Sequence, residues 1–243
     1  LNMSIRREEI KICSVCWNIN KIMWFSSMYI SESDLDANSI WTFYFNWVDR
    51  CKKCWYCNTE IDKLIPWTKE LVKSEKYNKQ LNDTKYINWV NELLCWVMVN
   101  ELAWYYIKCW FMNLICSWMY LDENSNDEYI KYFKNEAIRY FEKDIKKLVK
   151  SWNVLAYIDT LRQLWEFTKA EVFFQKYKND IIKEYESDMI NMIKFDLKLI
   201  SEKDSDIYTS DWVKKSEIKE EVFEEYIEEK NISFFEKLKG LFK

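Results

Sequence analysis

Two cysteine pairs constrain this chain more than any other feature. Cys13 and Cys16 enclose Ser-Val, Cys51 and Cys54 enclose Lys-Lys, and 34 residues separate the pairs. A two-residue spacer lets one tight turn present both sulfurs, so two such turns supply four soft thiolates to a tetrahedral ion. Four thiolates leave no open coordination position, so the expected site is a closed, structural Zn2+ site held by Cys13, Cys16, Cys51 and Cys54. The intervening length suffices for a β-hairpin or a three-stranded sheet. Disulfides are the competing use of such residues and belong to oxidising compartments. The opening stretch around Arg6, Arg7, Glu8 and Glu9 has no apolar signal core, so a cytoplasmic location with reduced thiols is expected.

Cys57 extends the second pair to CxxCxxC, the opening of an iron–sulfur motif. The ferredoxin continuation, three residues and then Cys-Pro, is missing, since Asn58-Thr59-Glu60-Ile61 follows. Cys57 is therefore read as a spare thiol beside the metal. Cys95, Cys109 and Cys116 lie at helical spacing among apolar residues and read as small buried hydrophobes. Ser33-Asp34-Leu35-Asp36 carries two carboxylates, and the expected role is turn capping by side-chain hydrogen bonds. Histidine is absent from the chain, which excludes His-based triads and His-ligated metals. No phosphate-cradling glycine loop is present either.

Tryptophan follows each CxxC pair, as Trp17 and Trp55, where a knuckle wants positive φ. Glycine enters that region freely and a bulky side chain does so only with strain. Average usage would give roughly 17 glycines in such a length, yet there is one, Gly240, beside 14 tryptophans. Trp17, Trp55, Trp67, Trp104, Trp152, Trp165 and Trp212 all stand where a turn favours glycine. With few Ala and Arg among many Lys, Asn and Ile, this suggests an AT-rich gene that reads UGA as glycine, rendered here with tryptophan. Trp41, Trp47 and Trp118 sit inside β-like or helical apolar patterns and read as genuine.

Residues 1–66 differ from the rest, with β-favouring runs such as Ile40–Phe45 between the cysteine pairs. From Thr68 the pattern is helical. Asn82-Asp83 is expected to cap a helix running to about Ala103, and a second spans about Tyr105 to Tyr120. A polar loop over 121–126 precedes an amphipathic stretch with Ile130, Phe133, Ala137, Tyr140, Phe141, Ile145 and Leu148 at spacings of three and four. Helices near 152–164 and 167–201 follow, then a linker at 205–210 and an acidic helix over about 213–229. The expected organisation is a zinc-ribbon-like domain over 1–66, a helical domain over 67–204, and a linker, acidic helix and amphipathic tail over 205–243.

Two turns share one chemistry. Leu102–Cys109 and Gln163–Ala170 each place Trp at zero, an aromatic at +2 and a small residue at +5. With glycine for tryptophan they become LAGYYIKC and QLGEFTKA, the turn of a tetratricopeptide-like helical hairpin. The turns lie 61 residues apart rather than 34, so a generic α-hairpin bundle remains the alternative.

Taken together, CSVCW…FSSMYISESDLD…WVDRCKKCWYC, LVKSEKYNKQL and the two turns resemble an uncharacterised bacterial family. Its members join an N-terminal CxxCG…CxxCGY zinc ribbon to a tetratricopeptide-like helical part, and the likeness covers about residues 10–175. The resemblance implies Cys13, Cys16, Cys51 and Cys54 as ligands and glycine positions at Trp17 and Trp55. It implies a mainly α architecture with a small N-terminal β-containing domain.

The expected function is a non-enzymatic protein-interaction scaffold with a structural zinc site. The alternative is a metal-dependent redox or regulatory protein using Cys51, Cys54 and Cys57. A net charge of −4 and a pI near 5.3 give no pull toward nucleic acid. The longest uncharged run in the apolar region is Cys109–Leu121, too short to span a bilayer. The expected partner is a protein or peptide on the helical surface. The C-terminal stripe of Ile232, Phe235, Leu238 and Leu241–Phe242, flanked by lysines, is read as docking back on its own bundle, with contact to a membrane surface or a partner the alternative.

Overall fold

A computed structural model of the chain describes residues 6–25, 35, 48–123, 126–149, 153–185, 187–209 and 212–213. The protein is mainly α, with a small β part at the N-terminal end. It divides into two compact units, Leu1–Ser31 with Ile40–Ile145, and Glu32–Ser39 with Lys146–Lys243. The stretch 40–45, residues Asp34 and Asp36, and the acidic helix and tail lie outside the described residues.

The first unit opens with β1 (Arg6–Ile12) and β2 (Ile19–Phe25), antiparallel in a register that sets Ile12 opposite Ile19 and Ile10 opposite Lys21. Period-two alternation sends Asn20 and Ile22 to the buried face and leaves Ile19 and Lys21 outside. A second, very short hairpin joins β3 (Asp49–Arg50) to β4 (Cys57–Asn58). Each hairpin carries one cysteine pair in its connection.

Helices α1 (Thr68–Lys73) and α2 (Glu75–Leu81) follow, and Ser74 both ends the first and caps the second, accepting from the Tyr77 N–H at 3.2 Å. Helix α3 (Asn88–Leu102) is buried nearly all round, with Val90, Leu93, Cys95, Trp96, Val97 and Val99 on its several faces. It pairs with α4 (Tyr106–Glu123), which packs on α5 (Asp127–Lys143), where Trp110 meets Phe141 edge-on at 5.7 Å. Asn126 caps α5, Asp127 and Glu128 lie in its first turn and Lys143 in its last, all favourable to the helix dipole. Phe133, Ala137, Tyr140 and Phe141 form its buried stripe. Asn82-Asp83 does not cap α3. Asp83 instead closes a turn by accepting from the Lys85 N–H at 2.9 Å, and the helix starts at Asn88.

The short α6 (Ile145–Leu148) begins at the last residue of the first unit, and the second unit holds the rest of it and α7 (Asn153–Gln163), α8 (Phe167–Glu184) and α9 (Ser187–Glu202). The single helix expected over 167–201 is two: Tyr185 takes an extended backbone with ψ 146° that ends α8. Arg162 is fully buried and donates from Nε to Asp159 at 3.0 Å and to Asp196 at 3.1 Å, and from a terminal nitrogen to the Asp204 carbonyl at 2.9 Å. Leu35 sits in this unit's core with Phe195, Leu199 and Val213.

The two helix–helix turns are alike in detail. Helix α3 stops two residues before Trp104 and α4 starts two after it, and α7 and α8 stand in the same relation to Trp165. The N–H of Tyr105 reaches the Asn100 carbonyl at 3.1 Å, and that of Glu166 the Leu161 carbonyl at 2.9 Å, the six-to-one bond that closes a helix through a left-handed residue. Trp104 and Trp165 are those residues, at φ 61° and 64°. Cys109 and Ala170, five positions on, are fully buried where the paired helices meet. Among the described residues no helix is long and apolar enough to cross a membrane.

Candidate metal centre

The two hairpin connections are built the same way. The Cys13 N–H bonds to the Asn18 carbonyl and the Trp17 N–H to the Cys13 carbonyl; the Cys51 N–H bonds to the Tyr56 carbonyl and the Trp55 N–H to the Cys51 carbonyl, all at 2.8–3.0 Å. Each loop turns back through its tryptophan, at φ 61° for Trp17 and 64° for Trp55. Both indoles are left at the surface, 73% and 45% exposed, so neither gains the burial that would offset its backbone strain.

The sulfurs of Cys13, Cys16, Cys51 and Cys54 lie within 4.8 Å of one another. Across the hairpins, Cys13 and Cys54 are 3.6 Å apart and Cys16 and Cys51 3.5 Å. A tetrahedral zinc–thiolate centre with bonds of about 2.3 Å sets its sulfurs roughly 3.8 Å apart. A disulfide needs about 2.05 Å, and all eight cysteines are free thiols. The donor set and its spacing therefore suit one soft, tetrahedral ion.

The thiols differ in acidity. Burial pushes the Cys13 thiol up to about 11, against hydrogen bonds from the Cys16 and Val15 N–H groups. Burial acts on Cys51 in the same direction, but the N–H groups of Cys54 and Lys53 and the thiols of Cys16 and Cys13 outweigh it and bring it down to about 7. Burial, reinforced by Cys16 and Cys13, raises Cys54. Of Cys13, Cys51 and Cys54, only Cys51 is brought down, by the N–H groups of its own knuckle together with the neighbouring thiols.

Asn20 ties one hairpin to the other. Its side-chain oxygen accepts from the Lys52 N–H at 3.0 Å, and its nitrogen donates to the Asn18 carbonyl at 2.9 Å and to the Cys51 sulfur at 3.6 Å. Tyr77 of α2 fixes the second loop from below, donating to the Trp55 carbonyl at 2.9 Å while accepting from the Cys57 N–H at 3.0 Å. Trp96 of α3 donates to Asn58 of β4 at 2.9 Å. Asn20, Tyr77, Trp96 and Asn58 were not singled out from the sequence. A polar Asn at an inward position of a strand was the one local signal; the other three contacts join distant segments.

Cys57 is not brought into the cluster. It is fully buried, its thiol donates to the Trp55 carbonyl at 3.3 Å, and it lies against Cys95 of α3. Burial and that neighbouring thiol push its pKa well up. Cys109 and Cys116 are fully buried and raised by the same desolvation, Cys109 to about 12. Such thiols are inert.

No protein-family model, curated protein or solved structure matches this chain.

Proposed function

We propose that Cys13, Cys16, Cys51 and Cys54 hold one structural Zn2+ and that the chain is a non-enzymatic scaffold whose helical hairpins bind a protein or peptide. The observation that carries the reading is the cross-hairpin approach of four thiol sulfurs at tetrahedral spacing. Zinc, once bound, would supply a covalent-strength crosslink between two hairpins whose own pairing is short. Asn20 orients the Cys51 sulfur, and Tyr77 and Trp96 anchor the second loop to the helices. Four ligands leave no position for a substrate, which favours a structural role over a catalytic one.

The resemblance to zinc-ribbon and tetratricopeptide-like proteins belongs to the same reading, supported by the matched knuckles and the two matched helix turns. So does the reading of UGA as glycine. Among the described residues six non-glycine positions have positive φ, and Trp17, Trp55, Trp67, Trp104 and Trp165 are five of them. All five are exposed, whereas Trp96, Trp110 and Trp118 are buried in helices as true tryptophans would be. Trp212, expected at a glycine turn, is exposed as well. A reducing, cytoplasmic setting, in which thiols stay available to a metal, belongs to the same reading.

Metal analysis of the purified protein tests the reading. One equivalent of colourless zinc per chain is the expected result. A brown, oxygen-sensitive preparation would replace it with the redox alternative. The coding DNA tests the tryptophans: UGA at 17, 55, 67, 104 and 165 with UGG at 96, 110 and 118 is expected, and UGG at the first five would end the recoding idea.

A further inference from the structure

On the side of the first unit formed by the turn before α3 and the start of α5, one lysine is surrounded by tyrosines. The Lys85 ammonium lies 5.3 Å from the ring centre of Tyr86, and 5.5 Å from those of Tyr129 and Tyr132. All three distances fall within cation–π range. No carboxylate of the described residues forms an ion pair with Lys85. Lys143 offers the contrast, because it also lies over two tyrosines but has the Glu101 carboxylate at 3.0 Å. At Lys85 the ammonium faces three rings with no ion-paired carboxylate beside it among the described residues.

The walls of this cage are fixed from behind. Tyr86 packs on Phe133 at 5.5 Å and on Tyr129 at 5.6 Å, and Tyr120 stacks on Phe133 at 5.9 Å while meeting Tyr129 at 4.8 Å. The turn carrying Tyr86 is pinned by buried Asn91, whose nitrogen donates to the Asp83 carbonyl at 2.8 Å. Asp83 and Glu136 add negative potential around the tyrosines. Lys85 itself is an exposed residue on an unbranched stem, so it can swing out and leave the walls standing.

We infer that Tyr86, Tyr129 and Tyr132 form a binding site for a small trimethylammonium compound, with Lys85 as its resting occupant. A primary ammonium is compact and strongly hydrated, and it loses part of that hydration to sit among rings. A trimethylammonium group spreads the same charge over methyl surfaces and is the cation that aromatic cages recognise. It must displace Lys85, so the lysine weakens its apparent affinity by the fraction of time the cage is filled.

The probe is choline, titrated into the full chain and into Lys85→Ala and followed by tyrosine fluorescence and by the choline methyl proton signal. Saturable binding about tenfold tighter in Lys85→Ala is expected, equivalent to ~1.4 kcal/mol. The methyl signal should move upfield by ring currents, and Tyr132→Leu in the Lys85→Ala background should abolish that shift. Lys85 is exposed, so its replacement leaves the fold intact, and the unfolding midpoint verifies this. Absence of saturable choline binding by folded Lys85→Ala overturns the inference. Equal binding of the uncharged isostere 3,3-dimethyl-1-butanol overturns it too, since the site would then be merely apolar.

Discussion

Comparing alanine with glycine at Trp104 isolates the left-handed backbone from everything the indole does. Trp104 has φ 61° and its side chain is 72% exposed, so truncating it sacrifices little burial. Alanine retains the Cβ that clashes with the following carbonyl in this region, at roughly 1–2 kcal/mol. Glycine removes that clash but loses roughly 0.5–1 kcal/mol more backbone entropy on folding. The balance makes Trp104→Gly more stable than Trp104→Ala by about 1 kcal/mol. Trp118, buried in the middle of α4 and edge-on to Phe111 at 5.9 Å, is the control. There both truncations cost ~3–5 kcal/mol of core packing, and glycine falls below alanine by about 1 kcal/mol of helix propensity. The Gly–Ala difference therefore changes sign between two tryptophans of one unit, a gap of about 2 kcal/mol. Urea unfolding of the four variants, with m-values compared, reads it directly. Equal or greater stability for Trp104→Ala than for Trp104→Gly would refute the strain argument, and with it the structural case for glycine at the other four positions.

Asn20→Ala removes the bridge between the two cysteine hairpins and a hydrogen bond to the Cys51 sulfur. Zinc affinity measured by chelator competition should fall ~10–100-fold, as for other groups that orient a ligand. Tyr77→Phe strips two hydrogen bonds, one of them buried, from the second loop, and unfolding experiments should show a loss of roughly 1–3 kcal/mol. Asp196 gives a pH dependence. Burial and Asp159 raise its pKa well above the ordinary carboxylate value, against the opposing pull of Arg162. Because the folded form holds that proton more tightly, this contribution to stability is full below about pH 4. It is lost as pH rises through the folded value. Asp159 and Arg162 of α7 are the charged groups facing it, and Gln163 bonds to Asp159 at 2.6 Å. Asp196→Asn should remove this loss, so the variant gains on the parent as pH is raised from 4 to 8 in urea titrations. A constant difference across that range would contradict it.

How much was legible in the sequence depended on the range of the interaction. The CxxC spacing points to paired sulfurs because two residues between cysteines fix a local turn, and the knuckle hydrogen bonds are local too. The helix turns at Trp104 and Trp165 were readable for the same reason: cap, aromatic and small residue fall within six positions. The start of α3 was misplaced because Asp83 serves a turn two residues on, a choice that helix-capping chemistry alone does not resolve. The break between α8 and α9 at Tyr185 carries neither glycine nor proline. The anchors of the metal loop, Tyr77 and Trp96, lie 22 residues from Trp55 and 38 from Asn58 respectively, and no local pattern reports such pairings. Leu35 illustrates the same limit. Between two carboxylates it reads as turn, yet it belongs to a core with Phe195 and Leu199, which only the tertiary fold assembles.

X-ray absorption at the zinc edge of the purified chain, taken with its metal stoichiometry, addresses the central claim most directly. One zinc per chain with four sulfur neighbours at about 2.3 Å is predicted. Nitrogen or oxygen in that shell, or a fully folded chain that retains no metal, would contradict it.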